Sequence, residues 1–195
     1  LKTRRDAYDG RGNYKINSKS DIDDALDLFK DKSLMVEKFV KFEKEISVIA
    51  ARNTKGEIAT YPVVENIHEN NILRTTIAPG RVSENVKKQA EEIAEKTMEV
   101  LHGAGVFGIE MFVTKDDEIL INEIAPRVHN SGHHTLQSCD TSQFEQHLRA
   151  ILGMELGDSS IKSPTIMYNI LGPKTFQGEY NILIKKQDNI HLKMY

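Results

Sequence analysis

Two runs rich in β-branched and aromatic residues, 105–113 and 119–124, flank the polar stretch Thr114-Lys-Asp-Asp-Glu118. That pattern predicts a β-hairpin. With Asp116 and Asp117 as a two-residue loop, Lys115 faces Glu118, and counting back sets Glu110 opposite Glu123. Directly opposed residues bring their Cβ atoms to about 4.5–5.5 Å, where like charges repel. A cation between them removes the repulsion. Mg²⁺ suits such oxygen ligands, because it takes one or two carboxylates and completes its shell with phosphate and water. The alternatives are a pair of solvated glutamates, or a longer loop with a different register.

The remaining pattern is mixed. Residues 20–30 alternate as an amphipathic helix, with Ser20 as its N-cap and acids in its first turn. Residues 34–40 read as a short buried strand interrupted by Glu37. Strands 45–52 and 57–64 surround the turn Asn53-Thr-Lys-Gly56, and Pro62 puts the second strand at an edge or ends it there. Residues 65–71 read as a polar connection carrying His68, followed by a strand at 72–77. The longest helix runs from Ser83 to His102, capped by Ser83 and closed by Gly103. Ser142 and Glu145 form a capping box for another helix, which Gly153 ends. Residues 165–171 read as a strand. Hairpin-paired strands with intervening helices define an α+β class: largely antiparallel sheets with flanking helices. Residues 162–195 are expected to form a small C-terminal β region.

Composition narrows the function. The chain has 195 residues and a net charge of −3, and its basic residues are dispersed, which argues against a nucleic-acid partner. A single cysteine and no tryptophan exclude a disulfide scaffold and predict a cytoplasmic protein. Cys139 reads as a packed small residue. No apolar run approaches the roughly 20 residues of a membrane span. Both ends read as cut from something longer. Two loops carry candidate chemistry. Ala125-Pro-Arg-Val-His-Asn-Ser-Gly-His-His134 concentrates hydrogen-bonding groups directly after the hairpin. Asp6-Ala-Tyr-Asp-Gly-Arg-Gly-Asn13 reads either as an anion-binding nest or as a hairpin turn, and a phosphate-covering hairpin satisfies both. No close histidine pair has zinc-ligand spacing.

Lys2, the Tyr8-Asp-Gly-Arg-Gly12 loop, Glu37-Lys-Phe-Val40, Glu45, the two hairpin glutamates and Asn122-Glu-Ile-Ala-Pro-Arg-Val-His-Asn-Ser-Gly-His133 together resemble the ATP-grasp enzymes. Within them the chain is similar to the N5-carboxyaminoimidazole ribonucleotide synthetase family of purine biosynthesis. The resemblance implies an ATP-grasp domain at 1–161, with a lid-bearing part at 1–36 and a second subdomain at 37–161. It implies ATP and Mg²⁺ as cofactors, and carboxylation of 5-aminoimidazole ribonucleotide by bicarbonate through carboxyphosphate. It also implies a homodimer in the full-length protein.

By position, Lys2 is expected at the nucleotide phosphates. Ala7, Tyr8, Asp9, Gly10, Arg11, Gly12 and Asn13 are expected to cover phosphate and substrate. Glu37, Lys38, Phe39 and Val40 are expected at the adenine edge, Glu45 at the ribose, and His68 near the nucleotide. Glu110 and Glu123 are expected to hold Mg²⁺, with Asn122 beside them. Tyr8, Asp9, Arg11, Arg81, Arg127, His129 and Asn130 are expected to face the ribonucleotide and carboxyphosphate, with Arg127, Asp9 and Arg11 closest to the chemistry. Family members also have an N-terminal domain and a basic C-terminal segment absent from these 195 residues, so this chain alone is expected to turn over weakly or not at all. Another ATP-grasp carboxylase or ligase, or a non-catalytic nucleotide-binding module, is the rival reading.

Overall fold

The computed structural model describes residues 1–5, 12–172 and 188–193. Its elements are β1 (Lys2–Thr3), α1 (Ser20–Leu28), β2 (Leu34–Met35), β3 (Lys44–Arg52), β4 (Ile58–Thr60), β5 (Val64–Glu69), β6 (Ile72–Ala78), α2 (Glu84–Leu101), β7 (Gly105–Val113), β8 (Ile119–Ala125), a short helix α3 (Thr135–Ser138), α4 (Gln143–Ile151) and β9 (Thr165–Tyr168). Strand β3 is central. Ile46 to Ala51 are all buried, as expected of a strand covered on both faces. It pairs along its whole length with β7, from Lys44 opposite Val113 to Arg52 opposite Gly105. The main sheet runs β8-β7-β3-β5-β6-β9, with β4 also on β3, and every pairing in it is antiparallel.

Helix α2 covers one face. Val86, Ala90, Ala94 and Met98 recur every fourth residue and pack on Ile46, Val48, Ile109, Met111 and Val113. Such i, i+4 spacing keeps one side of a helix apolar. The opposite face is divided. Ile49, Ala51 and Val106 pack with Tyr61 and Cys139 at one end. The other end carries the polar side chains described below. Burial pushes the Cys139 thiol up, in keeping with a packed side chain. No helix of the described residues is long and apolar enough to cross a membrane.

Several local expectations need correction. Ser20 is the first residue of α1 rather than its N-cap; that position is Lys19, with no side-chain cap, and the Asp21 carboxylate instead accepts from the Asn17 and Ser18 N–H groups ahead of the helix. The strand expected over 34–40 is only two residues long. Val36 and Phe39 are exposed, because the two-stranded β1-β2 sheet offers them no apolar layer. The polar connection at 65–71 is instead strand β5. The turn lies at Asn70 and Asn71, both in the left-handed conformation that Asn tolerates. Pro62 ends the preceding strand, as expected, so β4 and β5 sit on the same edge of β3. At the end of α2 the left-handed residue is His102 rather than Gly103. A Cβ on Gly103 would meet the Phe107 ring at 2.6 Å, so that glycine is set by packing. Ser142 caps α4 through the Glu145 N–H, but the Glu145 carboxylate turns to Arg149. Of the expected C-terminal β region, β9 is the edge strand of the main sheet, paired to β6.

Candidate functional site

The site lies on the face of the sheet opposite α2. Ser47 sits directly opposite Glu110, and Glu110 directly opposite Glu123. The acid pair was expected, but it arises by another route. The loop tip holds three residues, 115–117, with Thr114 paired to Glu118 and Asp117 left-handed. Carried back without interruption, that register would place Glu110 opposite Asn122. A bulge between Met111 and Glu110 adds one residue to β8 at Asn122 and brings Glu123 into line. Asn122 lies beside the pair, where it helps to lower the Glu110 carboxyl.

His129 completes the cluster. Its Nε2 lies 3.3 Å from Glu110 Oε1. One ligand atom each from Glu110, Glu123 and His129 falls within 4.8 Å of the others. Burial raises the Glu110 carboxyl, but the hydrogen bond from His129, the nearby His68 and Asn122 outweigh it, so its pKa lies below the ordinary carboxylate value. The imidazole reaches the sheet because residue 108 is glycine. A Cβ there would stand 2.5 Å from both Cβ and Cγ of His129. Gly108→Ala is expected to push His129 out and to cost about 1–3 kcal/mol, visible as a Tm lower by roughly 5 °C.

A second pair flanks the first. His68 Nδ1 lies 2.5 Å from Glu45 Oε2. Burial lowers the His68 pKa, but Glu45, with Glu110 and Glu123 further off, raises it more, so the net shift is upward. The bulge at Ile67/His68 is what aims this ring. Lys2 and Glu37, both expected at the nucleotide, form an ion pair of 2.6 Å. Lys2 also bridges to Asn13, and the Thr3 N–H donates to Gly12 O, so the two ends of the segment between them meet as in a hairpin. Ala7, Tyr8, Asp9, Gly10 and Arg11 lie outside the described residues. Lys38 and Phe39 are exposed and Val40 is half-buried, with Lys15 Nζ 3.9 Å over the Phe39 ring.

Arg81 is held elsewhere. It donates to both oxygens of the buried Glu65 at 3.0 and 2.8 Å, and Lys44 adds a third contact at 3.2 Å. It lines a hollow of about 180 Å³ with Lys44, Ser83 and Asp117 rather than the acid cluster. Arg127 is exposed and donates to the Val128 carbonyl. Asn130 has a buried Oδ1 that accepts no hydrogen bond from the protein.

Sequence reasoning missed the residues that hold His129. Gln143, fully buried at the start of α4, accepts from the His129 N–H at 3.0 Å and donates to its carbonyl at 2.8 Å. Ser131 lies 2.8 Å from its Nδ1. His134, 3% exposed, is bonded through Nδ1 to Ser138 at 2.7 Å. Burial, with His133 nearby, pushes its pKa down from 6.5 to about 4. The unfolded chain therefore takes this proton near its ordinary value while the folded chain refuses it. Stability is expected to be level above that value and to fall by about 3 kcal/mol as pH drops through the window between the two. Denaturant titrations across pH check this, with His134→Gln expected to remove that part of the slope.

A cluster of two sheet-borne carboxylates, flanked by a Lys–Glu pair and a His–Glu pair, matches a known scaffold. The ATP-grasp domain model matches residues 1–144, and the chain belongs to that family. The N5-carboxyaminoimidazole ribonucleotide synthase of Bacillus subtilis is 42% identical over 192 residues, 98% of this chain and 50% of that protein. The carboxyaminoimidazole ribonucleotide synthase of Aspergillus clavatus, solved with ATP, has a TM-score of 0.85 at 44% identity, over 89% of this chain and 46% of that one. The same enzyme solved with ADP and 5-aminoimidazole ribonucleotide has a TM-score of 0.83 at 42% identity, over 89% and 46%. The chain spans between 31% and 50% of the length of the curated relatives it matches.

Proposed function

We propose that this chain forms the nucleotide and metal site of an enzyme that carboxylates 5-aminoimidazole ribonucleotide with bicarbonate, consuming ATP and releasing ADP and phosphate. The observation that carries this reading is the acid pair. Glu110 and Glu123 are opposed on rigid strands and converge with His129 within 4.8 Å. Among relatives of this identity, structures hold ATP, or ADP with the ribonucleotide.

The donor chemistry fits Mg²⁺. Two carboxylates and the Asn122 amide offer hard oxygens at one end of the hairpin, and against its burial the His129 and His68 rings hold the Glu110 carboxyl below the ordinary carboxylate value. Glu110 and Glu123, with Asn122 beside them, would hold the ion, which would supply positive charge against the phosphate oxygens. Lys2, paired to Glu37, supplies a positive charge that a triphosphate can recruit. Glu45 offers a carboxylate oriented by His68, suited to accept from vicinal ribose hydroxyls. The exposed backbone of 37–40 leaves donors and acceptors open to a base edge. Arg127 and Asn130 follow the hairpin and take substrate-facing roles by position in the resemblance. Arg11, Asp9 and Tyr8 take substrate-facing roles by position in the resemblance. Carboxyphosphate formation then needs orientation and charge neutralisation, with no covalent nucleophile from the protein.

The test is ADP release by the intact protein at fixed bicarbonate, with and without 5-aminoimidazole ribonucleotide, and with formate in place of bicarbonate. Release that requires both ribonucleotide and bicarbonate is expected. Release supported by formate, or indifferent to the ribonucleotide, would move the chain to another ATP-grasp ligase.

A further inference from the structure

A continuous line of buried side chains crosses the sheet and ends at the acid pair. The Thr76 hydroxyl donates to Asn66 Oδ1 at 3.0 Å. Asn66 Nδ2 donates to the Ser47 oxygen at 2.8 Å, and the Ser47 hydroxyl donates to the Ser131 oxygen at 2.8 Å. Ser131 lies 2.8 Å from His129 Nδ1, and His129 Nε2 lies 3.3 Å from Glu110 Oε1. Thr76, Asn66, Ser47, Ser131 and His129 are each at most 6% exposed, so water does not compete for these bonds.

The line has a direction. A hydroxyl has one hydrogen, and the Ser131 oxygen already accepts from Ser47, so its own hydrogen is left for His129 Nδ1. The Ser131 backbone N–H, which can only donate, also points at Nδ1, at 3.4 Å. Nδ1 therefore accepts, and in the neutral ring the proton sits on Nε2.

We infer that Thr76, Asn66, Ser47 and Ser131 are positioning residues that fix His129 as the Nε2–H tautomer, so that it donates to Glu110 and is not itself a metal ligand. Distance alone would admit the imidazole as a third ligand. A protonated Nε2 has no lone pair to offer, so the cation meets oxygen only. With Nε2 facing Glu110 Oε1 at 3.3 Å, Glu110 and Glu123 would be the residues to hold the cation. An all-oxygen site favours Mg²⁺ or Mn²⁺ over imidazole-seeking Zn²⁺ or Co²⁺. An outer-shell hydrogen bond of this kind orients the ligating carboxylate.

This inference rests on the proposed metal site only for its consequence, because the tautomer is measured without metal or nucleotide. Two-bond ¹H–¹⁵N correlation spectra of the ¹⁵N-histidine-labelled protein at alkaline pH, with His129 assigned by its loss in His129→Asn, are expected to show Nε2 protonated and Nδ1 bare. A protonated Nδ1 would overturn the inference whether or not the protein binds Mg²⁺. Asn66→Asp turns the middle of the line into an acceptor at both ends and draws the Ser47 hydrogen away from Ser131. It is expected to populate the Nδ1–H form and to raise the Co²⁺-to-Mg²⁺ affinity ratio by on the order of tenfold. Ser47→Ala interrupts the line without burying a charge, and the same shift is expected there. Two folded variants that both keep the wild-type tautomer would show that the line does not set it.

Discussion

Glu123→Gln is expected to reduce ribonucleotide-dependent ADP release by the intact protein on the order of 10³-fold, with little change in Tm. Glu123 is exposed and makes no ion pair among the described residues, so the fold asks little of it. Its carboxylate lies directly across from Glu110, and in the proposed site its charge is what matters. The amide keeps size and shape but cannot neutralise a cation. If the loss appears in kcat with nucleotide affinity nearly intact, the carboxylate acts mainly on the transition state; a rise in KM alone would mean uniform binding. Turnover unaffected by the substitution would place the chemistry elsewhere in the protein. Glu110→Gln is expected to lose as much activity, and also some stability, because its carboxylate receives the His129 hydrogen bond in a buried setting.

The largest expected loss of stability is at an uncharged, fully buried residue. Gln143→Leu removes both hydrogen bonds that the fully buried amide makes to the His129 backbone. Leucine fills the space but satisfies neither the N–H nor the carbonyl. Two orphaned buried groups cost about 2 kcal/mol each, so roughly 4 kcal/mol is expected. Chemical denaturation measures it, and Gln143→Glu, which keeps one acceptor, should recover part of the loss. A cost no greater than that of a surface substitution would show that the loop at 129–134 holds its own shape.

What was legible in the sequence follows from which interactions are local. The long strands β3 and β7 and the helix α2 stood out because their apolar spacing is strict. The Glu110–Glu123 pairing was also legible, but through two misreadings that cancel. A two-residue tip predicts the same pairing as the observed three-residue tip with one extra residue at Asn122. Nothing in Leu-Ile-Asn-Glu-Ile marks a bulge, because that geometry is set by what lies across the sheet. Strand β5 is hidden in the sequence because Glu65, Asn66 and His68 resemble a loop, whereas in the sheet Glu65 and Asn66 are buried and Ile67 is exposed. The expected strand over 34–40 failed for the converse reason: its apolar residues have the right type but no layer to cover them. Ser47, Asn66 and Thr76 carried one faint sign, a polar residue within otherwise apolar or β-branched strands. Only the sheet order brings the three into a row.

The Asn122 bulge has a consequence for how the hairpin can vary. Alternation means that any odd change in the length of a turn would rotate every following side chain to the opposite surface. Here the half-step is taken up next to the two acids themselves, and β7 is pinned over nine residues to β3. The far end of the ribbon is thus set apart from the end that carries the acid pair, so the phase of the two carboxylates is fixed locally rather than by the tip.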